Sequence, residues 1–269
     1  MSTMPSVHAD ALWTIERGIS PIIATAIHDG HAVRKDLEGL FALSSDRRLR
    51  EEDPFTGFIS LNVPNRIVFH RSRFEVDLNR SRDGAIYFTP EQAWGLKVWK
   101  DSLPSDEVET SLRTHDHYYE VLLAFLKGIE RWHGRFVVLD IHSYNYRRAG
   151  PAAAPTARAK APDINIGTSS IDRVHWSYVL DALMNHFRTF EIDGRPLDVR
   201  ENIVFQGKGE QTRFIHEHFP LTGCAIAVEF KKFFMDEWTG EPDVTVLEKL
   251  RGIIASAVPL LEQVLESRR

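Results

Sequence analysis

Hydrophobic runs and helical patterns alternate along this chain. Runs of β-branched and aliphatic residues predict five strands, at 22–27, 66–70, 136–142, 201–205 and 224–230. Apolar residues repeated at intervals of three and four predict three helices, at 114–133, 173–190 and 243–267, with Thr114 as the N-cap of the first. We therefore predict an α/β fold, a single domain over residues 1–269 with a central mixed, largely parallel sheet flanked by helices.

Two of the predicted strands lead to histidines. Strand 22–27 is followed directly by His28 and, three residues later, by His31, while strand 136–142 ends on His142. Ligands of open α/β sheets bind beyond the carboxyl ends of the strands. The pattern therefore predicts a site where imidazoles from two strands meet, and imidazole is a common metal ligand.

Composition narrows the class of protein. A hydrophobic content of 43% over 269 residues is enough for a sizeable core, and a net charge of −5 with mixed charges gives no indication of a nucleic-acid partner. The chain has no apolar run long enough to span a membrane and no signal-peptide pattern, so we expect a cytoplasmic protein without membrane contact. The single cysteine, Cys224, leaves histidine and carboxylate side chains as ligands for any metal.

Catalytic zinc sites commonly use three protein ligands and leave one position open for water. His28, His31 and His142 supply three imidazoles, and Asp29 is the alternative to His31 as the second ligand. Asp140, two residues before His142, is placed to orient a ligand from behind. Taken alone, the close pair of histidines equally fits two loop residues that make ordinary hydrogen bonds.

Two other segments carry charges suited to catalysis. Arg73 and Arg80 flank a short segment that also contains Asn79, and guanidinium groups suit carboxylates and developing oxyanions. The alternative for this segment is a salt-bridged edge strand. Glu229 lies near the end of the apolar strand 224–230, where a buried carboxylate is costly without a role or a partner. It is therefore either a general base or the ion-pair partner of the lysines that follow it.

Three further features have two interpretations each. The segment 147–162 is rich in alanine and proline, which predicts a flexible loop that either covers the site or is a surface insertion. His117 either approaches the site or sits in the first turn of its helix. Lys208, in a glycine-rich segment, either reaches a substrate carboxylate or belongs to a plain turn.

Several segments together resemble the N-formylglutamate amidohydrolase family, within the zinc metallocarboxypeptidase and aspartoacylase-like superfamily. The similar segments are Val76-Asp77-Leu78-Asn79-Arg80, Leu139-Asp140-Ile141-His142-Ser143, Pro162 to Thr168, and Val228 to Glu241. With the first histidine turn they extend from residue 22 to residue 241 in the expected order, and their joint presence is specific although each piece alone is not. The resemblance implies a zinc carboxypeptidase-like, phosphorylase/hydrolase-like α/β fold.

The resemblance also implies a metal centre. One zinc ion is held by His28, His31 and His142, and Mn²⁺, Co²⁺ or Fe²⁺ would suit the same imidazoles. The chain departs from the superfamily at position 31, where glutamate is usual. Three neutral imidazoles leave the zinc more positively charged, which lowers the pKa of its bound water further.

The remaining roles follow from the same resemblance. Glu229 acts as the general base and then as the proton shuttle, and Arg73 polarises the scissile carbonyl. Asn79 and Arg80 hold the carboxylate of the substrate, while Asp77 of the same segment supports these groups from behind.

These inferences together predict a zinc-dependent hydrolase that cleaves the amide bond of an N-formyl or N-acyl amino acid, a small-molecule partner. Two alternatives remain open. The first is a carboxypeptidase or deacylase that acts on a larger acyl or peptide substrate with the same machinery. The second is a non-catalytic protein that binds a small carboxylate. The sequence does not specify the oligomeric state.

Overall fold

The computed structural model describes residues 11–268. Its strands are β1 (Trp13–Glu16), β2 (Ile22–Ala26), β3 (Asn65–Phe69), β4 (Phe136–Tyr144), β5 (Ile164–Gly167), β6 (Glu191–Ile192), β7 (Arg195–Pro196), β8 (Val199–Glu201) and β9 (Gly223–Lys231). Its α-helices are α1 (Lys35–Glu38), α2 (Ser45–Glu51), α3 (Thr56–Ile59), α4 (Ser105–His133), α5 (Arg173–Arg188), α6 (Glu210–His218) and α7 (Val244–Glu266). Short 3-10 helices lie at Arg82–Gly84, Pro90–Ala93 and Arg158–Lys160.

Seven strands form one mixed sheet in the order β1-β3-β2-β4-β9-β5-β8. The central strands β3, β2, β4 and β9 are parallel, so their carboxyl ends meet at one edge. Strands β1 and β5 run antiparallel to β3 and β9, and β8 runs parallel to β5. The predicted mixed, largely parallel α/β sheet is confirmed.

The chain crosses the sheet in two directions. From β2 it passes to β3 on one side, whereas from β4 it passes to β5, which lies beyond β9 on the other side. Loops that diverge in this way leave a crevice between the carboxyl ends of the two strands, here β2 and β4.

Helices cover both faces of the sheet. On one face Ile23, Val138 and Ala225 pack in a core with apolar side chains of α4 and α6. On the other, Leu139 and Ile226 pack in a larger core with α3, α5 and α7.

Side-chain alternation then decides where the chemistry lies. Successive residues of a strand point to opposite faces, so Asp140 and His142 share the face of Val138. Glu229 is paired in register with His142 on the neighbouring strand and lies on the same face. The crevice at this edge is therefore lined by polar groups on the side covered by α4 and α6.

The predicted strands at 22–27, 66–70, 136–142 and 224–230 and the helices at 173–190 and 243–267 agree with the structure to within a few residues. The strand predicted at 201–205 is wrong for most of its length. Strand β8 ends at Glu201, because Asn202 adopts a left-handed backbone conformation with φ of 56° that an extended strand does not allow.

The helix predicted at 114–133 begins nine residues earlier, at Ser105, directly after Pro104. Thr114 is therefore an interior residue and not the N-cap. Its hydroxyl donates to the carbonyl of Thr110, which is the usual bond of a threonine inside a helix. Among residues 11–268, no helix is long and apolar enough to cross a membrane.

Candidate metal centre and active site

Three donor atoms from three segments converge in a cleft at the carboxyl edge of the sheet. The Oδ2 atom of Asp53 lies 3.3 Å from Nδ1 of His28 and 3.1 Å from Nδ1 of His142. These ligand atoms all lie within 4.8 Å of one another, and the three residues are buried. Two imidazoles and one carboxylate arranged in this way form a candidate site for a divalent metal.

Each histidine has a second carboxylate on the far side of its ring. Nε2 of His28 lies 2.7 Å from Oδ1 of Asp77, and Nε2 of His142 lies 3.1 Å from Oδ2 of Asp140. Metal-binding histidines usually donate their outer N–H to such a group, which fixes the tautomer and turns the other nitrogen toward the metal. The outer carboxylates therefore leave both Nδ1 atoms directed at Asp53.

The residues fit a metal ion on their own chemistry. Nδ1 of His28 is buried and has no hydrogen-bond partner, which is costly for a polar atom unless another group belongs there. Burial alone would raise the pKa of Asp53, but the hydrogen bond from His142 and the close approach of His28 outweigh it and hold that pKa well below its usual range. Asp53 is thus an anion, as a metal ligand must be.

Asp53 reaches the site through a loop between α2 and α3. Its backbone N–H donates to the carbonyl of His28 at 2.9 Å, which ties this loop to the turn after β2. Phe55, two residues later, adopts a left-handed conformation with φ of 70°, and α3 starts at the next residue. Sequence reasoning missed Asp53, because only this tertiary hydrogen bond brings the loop to the histidines.

His31 lies outside the cluster, which corrects its prediction as the second ligand. Its Nδ1 is 2.5 Å from Oε2 of Glu52 and its Nε2 is 2.7 Å from Oγ of Ser45, so both ring nitrogens have partners. The interpretation as a loop histidine with ordinary hydrogen bonds describes it better. Asp53 provides the third donor instead.

The alternative ligand Asp29 also points away from the cluster. Its Oδ1 accepts the backbone N–H of Gly57 at 2.9 Å and the hydroxyl of Thr56 at 3.4 Å. Burial raises its pKa to about 6, and the bond from Gly57 partly opposes this. Asp29 therefore connects the turn after β2 to the start of α3.

Glu229 and Arg73 both line the cleft. Burial is the main cause that raises the pKa of Glu229 to about 8, and the positive charge of His142 partly opposes it. Arg73 donates from Nη2 to Oδ2 of Asp77 at 2.8 Å, and its guanidinium lies over the ring of Trp94. The cleft thus combines a buried carboxyl group of raised pKa with a fixed cation.

Asp77 connects several of these groups. Besides His28 and Arg73, it accepts the hydroxyl of Tyr87 and the backbone N–H of Asn79, the latter at 2.8 Å. Four donors from separate positions hold this buried carboxylate in one orientation. The role of Asp77 as a support for the catalytic groups remains a prediction.

The two residues predicted to bind the substrate's carboxylate, Asn79 and Arg80, lie in different surroundings. Asn79 lines the cleft, whereas Arg80 turns its guanidinium over the ring of Tyr87 and donates to the carbonyl of Gln92 at 3.0 Å. Arg148, which was not singled out from the sequence, and Lys232, one of the two lysines considered as a partner of Glu229, also line the cleft. Arg148 belongs to the segment 147–162; the mobility of that segment and its role as a cover remain predictions.

His117 and Lys208 are not brought to the cleft. The ring of His117 packs against Trp13 and its Nδ1 lies 3.7 Å from the carboxylate of Glu120, on an exposed part of α4. Lys208 is exposed in the turn before α6. The structure therefore favours the structural interpretation for both.

Comparisons with known proteins identify a family and a shared fold. The model of the N-formylglutamate amidohydrolase family matches residues 20–234. The crystal structure of N-formylglutamate amidohydrolase from Ralstonia eutropha JMP134 has a TM-score of 0.73 at 16% identity, over 96% of this chain and 98% of that chain. The crystal structure of a gene product from Agrobacterium tumefaciens has a TM-score of 0.60 at 15% identity, over 93% and 96%. At these identities the two structures show a shared fold. A search of curated proteins found no significant match.

Proposed function

Because the chain belongs to the N-formylglutamate amidohydrolase family, we propose that it is a metal-dependent amidohydrolase that cleaves N-formylglutamate or a closely related N-acyl amino acid. The observation that carries this proposal is the placement of His28, Asp53, His142 and Glu229 in one cleft. A binding protein needs neither a converging set of metal donors nor a buried carboxyl group beside them.

His28, Asp53 and His142 would hold the metal, with zinc as the first candidate. When bound, such an ion supplies a Lewis acid that acidifies water and polarises a carbonyl group. Two imidazoles and a carboxylate give a less positive site than the three imidazoles inferred from the sequence. Mn²⁺, Co²⁺ and Fe²⁺ remain alternatives for this donor set.

Glu229 would take a proton from the attacking water and deliver it to the amine nitrogen as the amide bond breaks. The products are formate, or another acid, and the free amino acid. A raised pKa suits this work, because the group must both accept and release a proton near neutral pH. The charge of an ion beside it would bring the pKa below about 8 and favour the basic form.

Arg73 would stabilise the negative charge that develops on the carbonyl oxygen. Its guanidinium is suited to this because Asp77 and the ring of Trp94 hold it in place. Asn79 is the better supported of the two residues proposed to bind the substrate's carboxylate, since it lines the cleft. The cations Arg148 and Lys232 make the same cleft favourable for an anionic substrate.

The test combines metal analysis with a substrate panel. We expect the purified protein to contain close to one equivalent of zinc or to bind it when supplied, and to release glutamate from N-formyl-L-glutamate. We also expect a chelator to abolish turnover and added zinc to restore it. The panel would include N-formyl-L-glutamine, N-acetyl-L-glutamate and a glutamyl dipeptide.

Each outcome of the panel has a different meaning. Preference for the dipeptide or a longer acyl group would favour the carboxypeptidase or deacylase alternative. Protein that binds no metal and remains inactive on the whole panel would contradict the proposal and favour the carboxylate-binding alternative. The cytoplasmic location inferred from the sequence remains a prediction.

A further inference from the structure

A chain of buried polar side chains lies behind His142. The hydroxyl of Thr25 and Nε2 of Gln211 donate to Oδ1 of Asp140, at 2.9 and 2.5 Å. Nε2 of Gln211 is also 2.8 Å from the hydroxyl oxygen of Thr25, and the hydroxyl of Tyr118 donates to Oε1 of Gln211. These four residues are at most 1% exposed and come from β2, β4, α4 and α6. None of them belongs to the set of direct metal donors.

The carboxylate fixes the direction of every hydrogen bond in this chain. A carboxylate oxygen accepts hydrogen bonds, so the atom of Gln211 that faces Asp140 is the amide nitrogen. The amide oxygen then faces Tyr118, whose hydroxyl must donate. Thr25 gives its proton to Asp140 and accepts from Gln211, so all these contacts are mutually consistent.

The same bonds divide the two oxygens of Asp140. Oδ1 receives two donors, whereas Oδ2 has no hydrogen-bond partner and faces Nε2 of His142 at an ion-pair distance of 3.1 Å. A carboxylate that is free to rotate would exchange these oxygens. Because two donors hold Oδ1 in place, Oδ2 stays directed at His142.

Gln211 also fastens the start of α6 to the cleft. The N–H of Glu210 donates to the backbone carbonyl of Asn79, and the N–H of Gln211 approaches the side-chain oxygen of Asn79 at 3.4 Å. A Cβ on Gly209 would lie 2.1 Å from that same oxygen, so the close approach requires glycine. Gln211 is therefore held in place through both its side-chain amide and its backbone N–H.

We propose that Gln211 is a positioning residue, which orients Asp140 so that His142 presents Nδ1 to the metal. This inference rests on the proposed function, because it gives His142 the role of a metal ligand. Burying four polar side chains is unfavourable unless all are satisfied. In this chain every polar side-chain atom of the four has a partner except Oδ2 of Asp140, and that oxygen faces His142.

The test compares two buried amides. Gln211→Met keeps the length of the side chain but removes its hydrogen bonds. The matched control is Asn65→Leu, which removes a fully buried amide with three hydrogen bonds, to Ser20, Ile22 and Gly18, at the opposite end of the strands. Zinc dissociation constants would be measured by competition with a chromogenic chelator, alongside thermal unfolding of the metal-free proteins.

We expect Gln211→Met to weaken zinc binding by about tenfold, at the low end of the effect of residues that support metal ligands. Asn65→Leu should destabilise the protein and leave the zinc dissociation constant within about twofold of wild type. At saturating zinc, the loss in Gln211→Met should appear in kcat rather than in KM, because the contacts to substrate are unchanged.

Two milder variants keep the test decisive if Gln211→Met does not fold. Thr25→Val removes one of the two donors to Oδ1 without changing shape, and Tyr118→Phe removes the donor that holds the amide oxygen of Gln211. Both should weaken zinc binding, by less than Gln211→Met. Unchanged zinc affinity in these variants, with normal binding and turnover in wild type, would overturn the inference. Absence of zinc binding in wild type would instead overturn the proposed function.

Discussion

The two ends of the parallel strands differ in which polar side chains they bury and in whether these side chains find partners within the protein. At the amino end, Asn65 and Ser20 are buried neutral groups, and their hydrogen bonds close the chain around the start of β2. At the carboxyl end, His28, Asp53 and His142 are buried, charged or chargeable groups with an unsatisfied nitrogen among them. The buried polar groups at the amino end form hydrogen bonds within the fold, whereas those at the carboxyl end are arranged to bind an external ligand such as a metal ion.

This difference separates stability from chemistry. An amide that satisfies backbone groups contributes only to folding, and its loss leaves a donor or acceptor unpaired. Buried charged groups that converge on one position lower the stability of the folded protein. A metal ion that binds there, and only in the folded state, restores that stability. Substitutions at the carboxyl end should therefore alter metal binding and turnover more than stability.

The largest expected effect is that of removing a metal donor. His28→Ala should abolish stoichiometric zinc binding and lower kcat/KM by more than about 10³-fold, because several kcal/mol of transition-state stabilisation are lost at about 1.4 kcal/mol per tenfold. Elemental analysis and amine release from N-formyl-L-glutamate measure both. Retention of zinc by this variant would mean that the two ends do not differ as described.

The second effect isolates proton transfer from metal binding. Glu229→Gln keeps the shape of the side chain but removes the base, so we expect normal zinc content and a kcat at least about 100-fold lower. Steady-state kinetics on the zinc-loaded variant gives the comparison with wild type. Turnover close to wild type would remove Glu229 from the proposed mechanism.

The strand ends were predictable from the sequence and the third donor was not. His28, His142 and Glu229 lie near the ends of apolar runs, and the rule that parallel strands share a carboxyl edge is enough to bring them together. Asp53 lies between two short helices, in a stretch without hydrophobic periodicity. Its place depends on the hydrogen bond from its backbone to His28, which no local pattern encodes.

Spacing alone also misplaced His31. Three residues of separation allow two side chains to reach one ion, but they do not say in which direction each side chain points. The buried carboxylate of Glu52 attracts the ring of His31, and the sequence gives no sign of it. Gln211 was missed for a related reason, since its partners Thr25, Tyr118 and Asp140 come from distant parts of the chain.

The third prediction compares His31 with His28 within a single turn. His31→Gln removes the bond to Glu52 but none of the metal donors, so zinc affinity should fall by less than about tenfold. The same chelator competition used for the other variants measures it. If His31→Gln loses zinc as completely as His28→Ala, His31 is a ligand in solution and the assignment of Asp53 fails.

The smallest effect concerns His216, a partly buried histidine away from the carboxyl ends of the strands. Nε2 of His216, on α6, accepts the backbone N–H of Ala225 at 3.0 Å, so the neutral ring is required. Burial lowers its pKa to about 4, below the ordinary value of 6.5. Between these values the unfolded chain binds a proton that the folded protein does not, so stability is lost as the pH falls from 6.5 toward 4.

We expect His216→Gln, which preserves an acceptor but does not titrate, to lessen this loss by roughly 1 to 3 kcal/mol between pH 7 and pH 4. Urea unfolding at several pH values in this range gives the free energy of unfolding as a function of pH for both proteins. His218→Gln is the matched control, because His218 lies two residues later on the same helix and is exposed. Equal pH dependence of stability in wild type and His216→Gln would show that folding does not lower the pKa of His216. Unchanged zinc affinity in His216→Gln would show that His216 contributes to folding alone. Weakened zinc binding would show that residues of α6 beyond Gln211 also affect the metal site.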